Sequence, residues 1–340
     1  MGVAFGDLIP REEVSLEFFS GKKIAVDAYN TIYQFLSIIR QKDGTPLMDS
    51  KGRITSHLSG LFYRSTQLLS NNIKPVYIFD GVPPEIKTKT LEKRAEIKQK
   101  AEVGWKEALE VGDLEEARKY AQATSKLTPE MVEDSKRLLD ALGIPYIVAK
   151  EEGEAQAAVM CQKGDVFVCA SQDWDSLLFG APRLVRYLSI TGRKKLPMKN
   201  LYIETPPQLI VLEKALSELK INRNQLIWMA IMIGTDYNEG IKGIGPKKSL
   251  KIAQSAKSLS ECFKLANAEV ENAEEIEKMF LNPSAIENYL LEWKTPNEAQ
   301  VIKILCEEHD FSLERVRSSL KKVCEKLGEK TSQSGLSDWF

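Results

Sequence analysis

Two histidines, His57 and His309, serve the whole 340-residue chain. Imidazole acid–base chemistry or a histidine-held metal is therefore not expected, and catalysis must lean on carboxylates, lysines or hydroxyls. Cysteine is also sparse. Cys161, Cys169, Cys262, Cys306 and Cys324 are odd in number, unrelated in spacing and lack a CxxC pair. Neither a disulfide framework nor a zinc cage is expected, and reduced thiols in a cytoplasmic setting are. The longest apolar runs, such as Leu226 to Gly234 and Lys74 to Phe79, fall short of the ~18–20 residues of a membrane span. The opening MGVAFGDLIP has no basic region ahead of an apolar one, so neither secretion nor a membrane partner is expected. Neither sign of charge prevails: 48 acids face 47 bases, for a net charge of −1. Global charge thus gives no argument for nucleic-acid binding, and only local distribution can supply one. With 20 Gly and 14 Pro, collagen-like and low-complexity classes are excluded, and no fixed-period repeat is present.

What remains is 43% hydrophobic, enough for a real core, and long enough for two or three domains or one large α/β body with insertions. Short β-branched runs, Lys23 to Val26 and Pro75 to Phe79, predict strands, with helical spacing between them from Ala28 to Ile39 and from Ser56 to Leu69. A second block repeats the alternation. It comprises a helix from Pro129 to Leu142, a strand from Pro145 to Val148, a helix from Gly153 to Gln162 and a strand from Val166 to Ala170. This pattern predicts an α/β fold with a mostly parallel central sheet flanked by helices.

Residues 83–128 break the rhythm. They are polar, charge-dense and helix-prone, with Gly104 and Gly112 as interruptions, and predict a helical insertion standing off the body. After Arg183 comes a basic stretch with turn signals, then helices over Leu212 to Leu219 and Leu226 to Ile233, then the glycine-rich run 240–246. Four regions are expected: 1–128 with its insertion, 129–255 ending just past the glycine-rich run, a helical and acidic 256–326, and a flexible tail at 327–340.

Acids cluster where strands end. Val26 runs into Asp27, Phe79 into Asp80, and the strand around Val168 into Asp173 and Asp175. In open parallel sheets ligands bind outside the carboxyl ends of the strands, so these acids converge on one crevice. Spacing of two would point Asp173 and Asp175 to the same side of an extended chain. Glu152 and Glu154 share that spacing at a helix start, and Asp236 follows the apolar helix. An Asp at a strand end, taken alone, is more often a helix N-cap or turn residue, and Glu152 or Glu154 alone could be a first-turn helix acid. Seven carboxylates together would repel strongly unless cations bind, and all-oxygen donors suit Mg²⁺, with Mn²⁺ able to substitute. Two such ions could bracket a phosphodiester.

Positive charge surrounds this crevice. Lys87, Lys89, Lys93, Arg94, Lys98 and Lys100 begin a few residues after Asp80, although a solvated helix with internal ion pairs accounts for them equally well. Arg183, Arg186, Arg193, Lys194, Lys195 and Lys199 form a stretch without an intervening acid, suited to phosphate contact. Gly243-Ile244-Gly245-Pro246-Lys247-Lys248 has the form of a hairpin between helices whose amides could approach a duplex backbone. Gln333, Leu336, Trp339 and Phe340 follow a polar spacer as a hydrophobic plug suited to partner docking.

The segments Val26-Asp27-Ala28, Val76 through Gly81, Glu152-Gly153-Glu154-Ala155, Asp173-Trp174-Asp175, Gly234-Thr235-Asp236 and Gly243-Ile244-Gly245-Pro246 occur in a specific order and spacing. In them the chain resembles, over essentially its whole length, the archaeal type of flap endonuclease, a structure-specific 5′ nuclease of the XPG-type superfamily. The resemblance implies that Asp27, Asp80, Glu152, Glu154, Asp173, Asp175 and Asp236 hold two Mg²⁺ ions. It makes Lys87 and Arg94 catalytic groups that steer the scissile phosphate, and Tyr33 a platform for a base near the cut. The insertion becomes an arch threaded by a 5′ single strand. The hairpin becomes a helix-hairpin-helix grip on duplex DNA, assisted by a monovalent cation such as K⁺. Gly2 joins the DNA contacts, and Thr55, Arg64 and Lys321 line a pocket for a one-nucleotide 3′ flap. The implied substrate is branched DNA with a 5′ flap, and the implied partner of Gln333 to Phe340 is the PCNA sliding clamp, the protein being a monomer without it. The implied activity is 5′ flap endonuclease with 5′–3′ exonuclease, in Okazaki fragment maturation and DNA repair. With no basic run of the eukaryotic kind at its end, the sequence is expected to come from an archaeal cell. Two rivals remain: a DxD-type phosphohydrolase built on Asp173 and Asp175, and a non-catalytic clamp-bound DNA scaffold.

Overall fold

The computed structural model of the chain describes residues 3–6, 8–82, 86, 88–188, 194–195, 202–203 and 205–337, by backbone alone at 88–98, 118, 194–195, 202–203 and 327–337. Nine strands are described: β1 (Glu12–Glu13), β2 (Lys23–Asp27), β3 (Lys74–Phe79), β4 (Tyr146–Val148), β5 (Val168–Ala170), β6 (Arg183–Arg186), β7 (Lys194–Lys195), β8 (Tyr202–Ile203) and β9 (Gln208–Val211). Seven of them form one sheet in the order β1-β9-β6-β5-β2-β3-β4, and β7 pairs with β8. From β6 across to β4 the strands are parallel, while β9 and β1 add an antiparallel edge. The sheet is thus mostly parallel, as the alternating pattern predicts. That pattern did not predict β6, expected as a basic turn-rich stretch: Leu184 and Val185 are fully buried and draw it into the sheet.

Successive strand residues face opposite cores. Ala25, Val76, Ile78 and Cys169 point into one, with α6 (Gly153–Lys163), α7 (Asp175–Leu178), α8 (Leu212–Leu219), α9 (Arg223–Ile233), α10 (Pro246–Ser255), α11 (Leu259–Ala266) and α12 (Ala273–Leu281). Ile24, Val26, Tyr77 and Phe79 point into the other, with α1 (Ala28–Ile38), α2 (Ser56–Ser70), α5 (Pro129–Ala141), α13 (Glu298–Ile302) and α14 (Leu313–Ser337). Burial on both faces is why these strands read as continuous apolar runs.

The insertion is a helical pair, α3 (Thr88–Glu110) and α4 (Leu114–Ala123), turning at Gly112 with φ of +76°. Gly104 does not interrupt it. It lies inside α3, where a Cβ would stand 2.9 Å from the Tyr120 ring, so its role is close helix approach. Nor does the pair stand wholly clear of the body, because Ser37 Oγ donates to the Gln122 carbonyl at 3.3 Å and Trp105 Nε1 to the Asp43 carbonyl at 3.3 Å.

Two further differences concern the last third. Between α12 and α13 the chain is neither helix nor strand, and it is strapped to the body: Gln156 exchanges two hydrogen bonds with the Ile286 backbone, and Trp293 Nε1 donates to the Pro75 carbonyl at 2.7 Å. Pro283 and Pro296 at its two ends disfavour helix there. Helix α14 continues to Ser337 through the segment expected as a flexible tail, so the backbone at Gln333 and Leu336 is helical. Trp339 and Phe340 lie outside the described residues.

Candidate active site

Parallel β5, β2 and β3 are neighbours in the sheet, so their carboxyl ends open on one crevice. Asp27 closes β2 and caps α1, its Oδ1 accepting from the Asn30 amide at 3.0 Å. Asp80 follows β3 directly, its Oδ1 accepting from the Gly153 amide at 2.7 Å. Glu152 is the N-cap residue of α6 and Glu154 lies in its first turn, where the helix dipole favours negative charge. Asp175 opens α7 and Asp236 follows α9.

Asp173 and Asp175 do not meet by strand alternation as expected. Strand β5 ends at Ala170, and the intervening chain turns before Asp175 begins α7. The two carboxylates converge because other elements hold them. Asn30 Nδ2 donates to Asp173 Oδ2 at 2.9 Å, the Asp173 amide donates to Ser171 Oγ at 3.2 Å, and the Val3 amide donates to Asp175 Oδ1 at 3.1 Å. Asn30, Ser171 and the Val3 amide were not found from sequence. Asn30 stands three residues past Asp27, at the same helix end, which is the one signal available.

The acids feel one another. Burial, then Asp80, with Asp173 and Glu152 behind it, holds the Asp27 carboxyl well above the usual range. Burial, then Asp175, Asp27 and Asp173, does the same to Glu154, whose Oε1 is buried without a hydrogen-bond partner. Burial, then Asp173 and Asp236, pushes Asp175 up to about 7. The Tyr237 hydroxyl is raised by burial and by Glu152, Asp175, Asp236 and Glu154. All seven acids therefore belong to one electrostatic network.

Such a network fits hard divalent cations: the donors are all oxygens, several are buried, and a partnerless carboxylate oxygen lies among them. Among the described residues no group of three His, Cys, Asp or Glu side chains has ligating geometry.

Those of the remaining expected site residues that are described lie on several elements. Tyr33 is half-buried on α1, near Tyr29, whose hydroxyl is raised by burial, then by Asp80 and by Tyr33. Thr55 and Arg64 are buried at the start and middle of α2, and α14, which carries Lys321, packs on that helix. Burial lowers the Arg64 guanidinium to about 10. Lys321 is exposed and pairs with Glu325 at 3.8 Å.

In the hairpin between α9 and α10, Gly243 has φ of +81°, and a Cβ on Gly243 or Gly245 would meet nothing within 4 Å, leaving the backbone open to a ligand. Pro246 opens α10, and Lys247 and Lys248 are exposed. Lys194 and Lys195 form β7, while Gly2, Lys87 and Arg193, like the Arg94, Gln333 and Leu336 side chains, lie outside the described residues. Arg183 and Arg186, expected in a phosphate-touching loop, belong to β6. Their Nε atoms donate to the Phe167 carbonyl at 2.7 Å and the Gln172 carbonyl at 3.0 Å.

Residues 6–101 match the XPG N-terminal domain and residues 143–236 the XPG I-region, the two segments that supply the acids. The flap endonuclease 1 of Pyrococcus abyssi is 57% identical over 342 aligned residues, covering 100% of this chain and 98% of that protein. Among solved structures, flap endonuclease-1 from Methanococcus jannaschii has a TM-score of 0.77 at 44% identity, covering 97% of this chain and 100% of that one. The catalytic core of Rad2 in complex with DNA substrate shares the fold, with a TM-score of 0.69 at 24% identity, covering 95% of this chain and 100% of that one. Identity of this degree along the entire length, together with a common fold, establishes that the chain belongs to the flap endonuclease 1 family.

Proposed function

We propose that the protein is a divalent-metal-dependent 5′ flap endonuclease, with 5′–3′ exonuclease activity, that hydrolyses a DNA phosphodiester where a displaced 5′ strand leaves the duplex. The observation that carries it is the gathering of seven carboxylates at the carboxyl ends of β2, β3 and β5 into one network in which burial and mutual repulsion raise Asp27, Glu154 and Asp175.

Asp27, Asp80, Glu152, Glu154, Asp173, Asp175 and Asp236 would hold two Mg²⁺ ions. Bound there, such ions supply Lewis-acid polarisation of the phosphodiester and a nucleophilic water at neutral pH. The chain's own part is orientation. Asn30 restrains Asp173, the Gly153 amide Asp80, and the Val3 amide Asp175, so each of these carboxylates is held on one oxygen at the crevice. Tyr33 offers a ring beside the crevice, and Lys87 and Arg94 provide positive charge for the scissile phosphate. The hairpin amides with Lys247 and Lys248 grip the downstream duplex without reading sequence, assisted by K⁺. Arg193, Lys194 and Lys195 add backbone contacts, as does Gly2. Thr55, Arg64 and Lys321 bound the 3′-flap pocket, and Gln333, Leu336, Trp339 and Phe340 dock on PCNA. The setting is intracellular, in Okazaki fragment maturation and repair.

The test is cleavage of a 5′-labelled double-flap DNA beside matched single-stranded and duplex controls, in Mg²⁺ or EDTA, by the wild type and Asp175→Ala. Junction cutting that needs Mg²⁺ and is lost in the variant, with DNA binding retained, supports the proposal. Binding without cutting would favour a scaffold, and equal cutting of all three substrates would remove the flap specificity.

A further inference from the structure

The segment from Gln172 to Asp175 carries two of the seven acids yet belongs to no regular element until α7 begins. Its one large side chain, Trp174, is buried, at 4% exposure. One side of the indole meets the guanidinium of Arg186, whose Cζ lies 4.3 Å from the ring centroid, and another meets Phe5 edge to face, with centroids 6.3 Å apart at 82°. Arg186 also donates Nε to the Gln172 carbonyl at 3.0 Å. It stands on β6, paired in parallel with β5, so its guanidinium is anchored to the rigid sheet. Phe5 belongs to the N-terminal segment whose Val3 amide holds Asp175.

From these contacts we infer that Arg186 and Trp174 are positioning residues that set the orientation of the Asp173 and Asp175 carboxylates toward divalent cations. The inference rests on the metal-binding role proposed above for those acids. Arg186 acts at two points: it holds the backbone just before Asp173 and covers the ring that separates Asp173 from Asp175. A guanidinium can do both because its plane stacks while its Nε–H points along the edge. A lysine ammonium cannot. The indole, wedged between Arg186 and Phe5, fixes the turn by which the two acids meet without a strand to hold them.

The experiment uses the full chain with Mg²⁺ and a 5′-flap DNA, and compares Arg186→Met, Arg186→Lys, Trp174→Leu and Trp174→Phe with the wild type. Expected for Arg186→Met and Trp174→Leu is a rise of about tenfold in the Mg²⁺ concentration giving half-maximal rate, as for other groups that orient metal ligands. The KM for flap DNA at saturating Mg²⁺ should stay within about twofold, since the effect acts through metal ligands and not through uniform substrate binding. Trp174→Phe should recover much of the loss, and Arg186→Lys little of it. Tryptophan fluorescence, taken as wild type minus Trp174→Phe, should respond to Mg²⁺ without DNA.

An unchanged Mg²⁺ response in folded Arg186→Met would overturn the inference while leaving the proposed function intact. So would a raised KM for DNA with an unchanged Mg²⁺ response, which would make Arg186 a phosphate contact. A wild type indifferent to Mg²⁺ in both rate and fluorescence would overturn the proposed function itself and the inference with it. Should Arg186→Met fail to fold, the Trp174→Leu and Trp174→Phe pair decides on the same readouts.

Discussion

Asn30 Nδ2 donates to Asp173 Oδ2 at 2.9 Å, joining the first turn of α1 to the chain beyond β5 across 143 residues of sequence. The same side chain accepts from the Gln172 amide through Oδ1 at 3.4 Å. Because Asn30 follows Asp27 by one helical turn, it ties acids from two strands into one frame. Asn30→Ala is therefore expected to weaken Mg²⁺ activation of cleavage by about tenfold, with little change in DNA affinity. Rates measured against Mg²⁺ concentration at fixed flap DNA check this, and an unchanged activation curve would refute the link.

The buried acids make the metal-free protein less stable than its fold allows. Replacing Asp175 by Asn removes one charge from a network in which Asp173 and Asp236 repel it. In EDTA, Asp175→Asn should melt above the wild type, by about 1–2 °C for a gain near 1 kcal/mol. Added Mg²⁺ should raise the wild-type melting temperature, by linkage of about 3 kcal/mol at a hundredfold excess over Kd, and raise the variant's far less. Differential scanning calorimetry reads both, and a variant melting below the wild type in EDTA would contradict the electrostatic account.

Exposed Lys247 and Lys248 follow the open hairpin at Gly243 and Gly245. If each meets one phosphate, Lys247→Ala with Lys248→Ala should lower the slope of log affinity against log salt by about 2. The loss should be the same for flaps of different sequence. Fluorescence anisotropy over a salt series measures it, and a sequence-dependent loss would point to base contacts.

Acid should destabilise the fold through His57. Its imidazole is buried with neither ring nitrogen hydrogen-bonded. Burial, then the nearby His309, lowers it to about 3. Above about pH 6.5 the ring is neutral in both folded and unfolded chains. Below that, the unfolded chain takes up a proton that the folded one refuses, so the contribution of His57 falls with pH down to about 3, by about 1 kcal/mol per unit, while the raised Asp27, Glu154 and Asp175 contribute in the opposite sense. Asp49 adds to the fall at lower pH. Its burial is outweighed by hydrogen bonds from the Arg53 amide and guanidinium and from His309, which hold it at about 2, so its contribution is present above the ordinary carboxylate value and is lost as pH falls toward 2. The urea midpoint of His57→Leu should gain on that of the wild type as pH is lowered from 7 to 4, and parallel curves would exclude a contribution from the histidine.

The β-α alternation was readable because β2, β3 and β5 are buried on both faces and must be apolar throughout, and the strand-end acids were readable because they interrupt those runs abruptly. Strand β6 was hidden by Arg183 and Arg186 at its ends. Both side chains turn back to pair with backbone carbonyls and stack on Phe167 and Trp174, which no local pattern of charge reveals. Gly104 misled for a related reason, since a glycine that admits Tyr120 from a neighbouring helix looks the same in sequence as a helix break.

By itself the sequence determined the α/β architecture, the seven acids and the glycine hairpin, because burial periodicity, charge at strand ends and backbone freedom are properties of neighbours along the chain. Tertiary structure alone decided how Asp173 meets Asp175, that Asn30, Val3 and Arg186 hold that turn, and that Arg64 is buried. Those outcomes depend on contacts between separate elements, of which Asn30–Asp173 and Val3–Asp175 join segments more than a hundred residues apart.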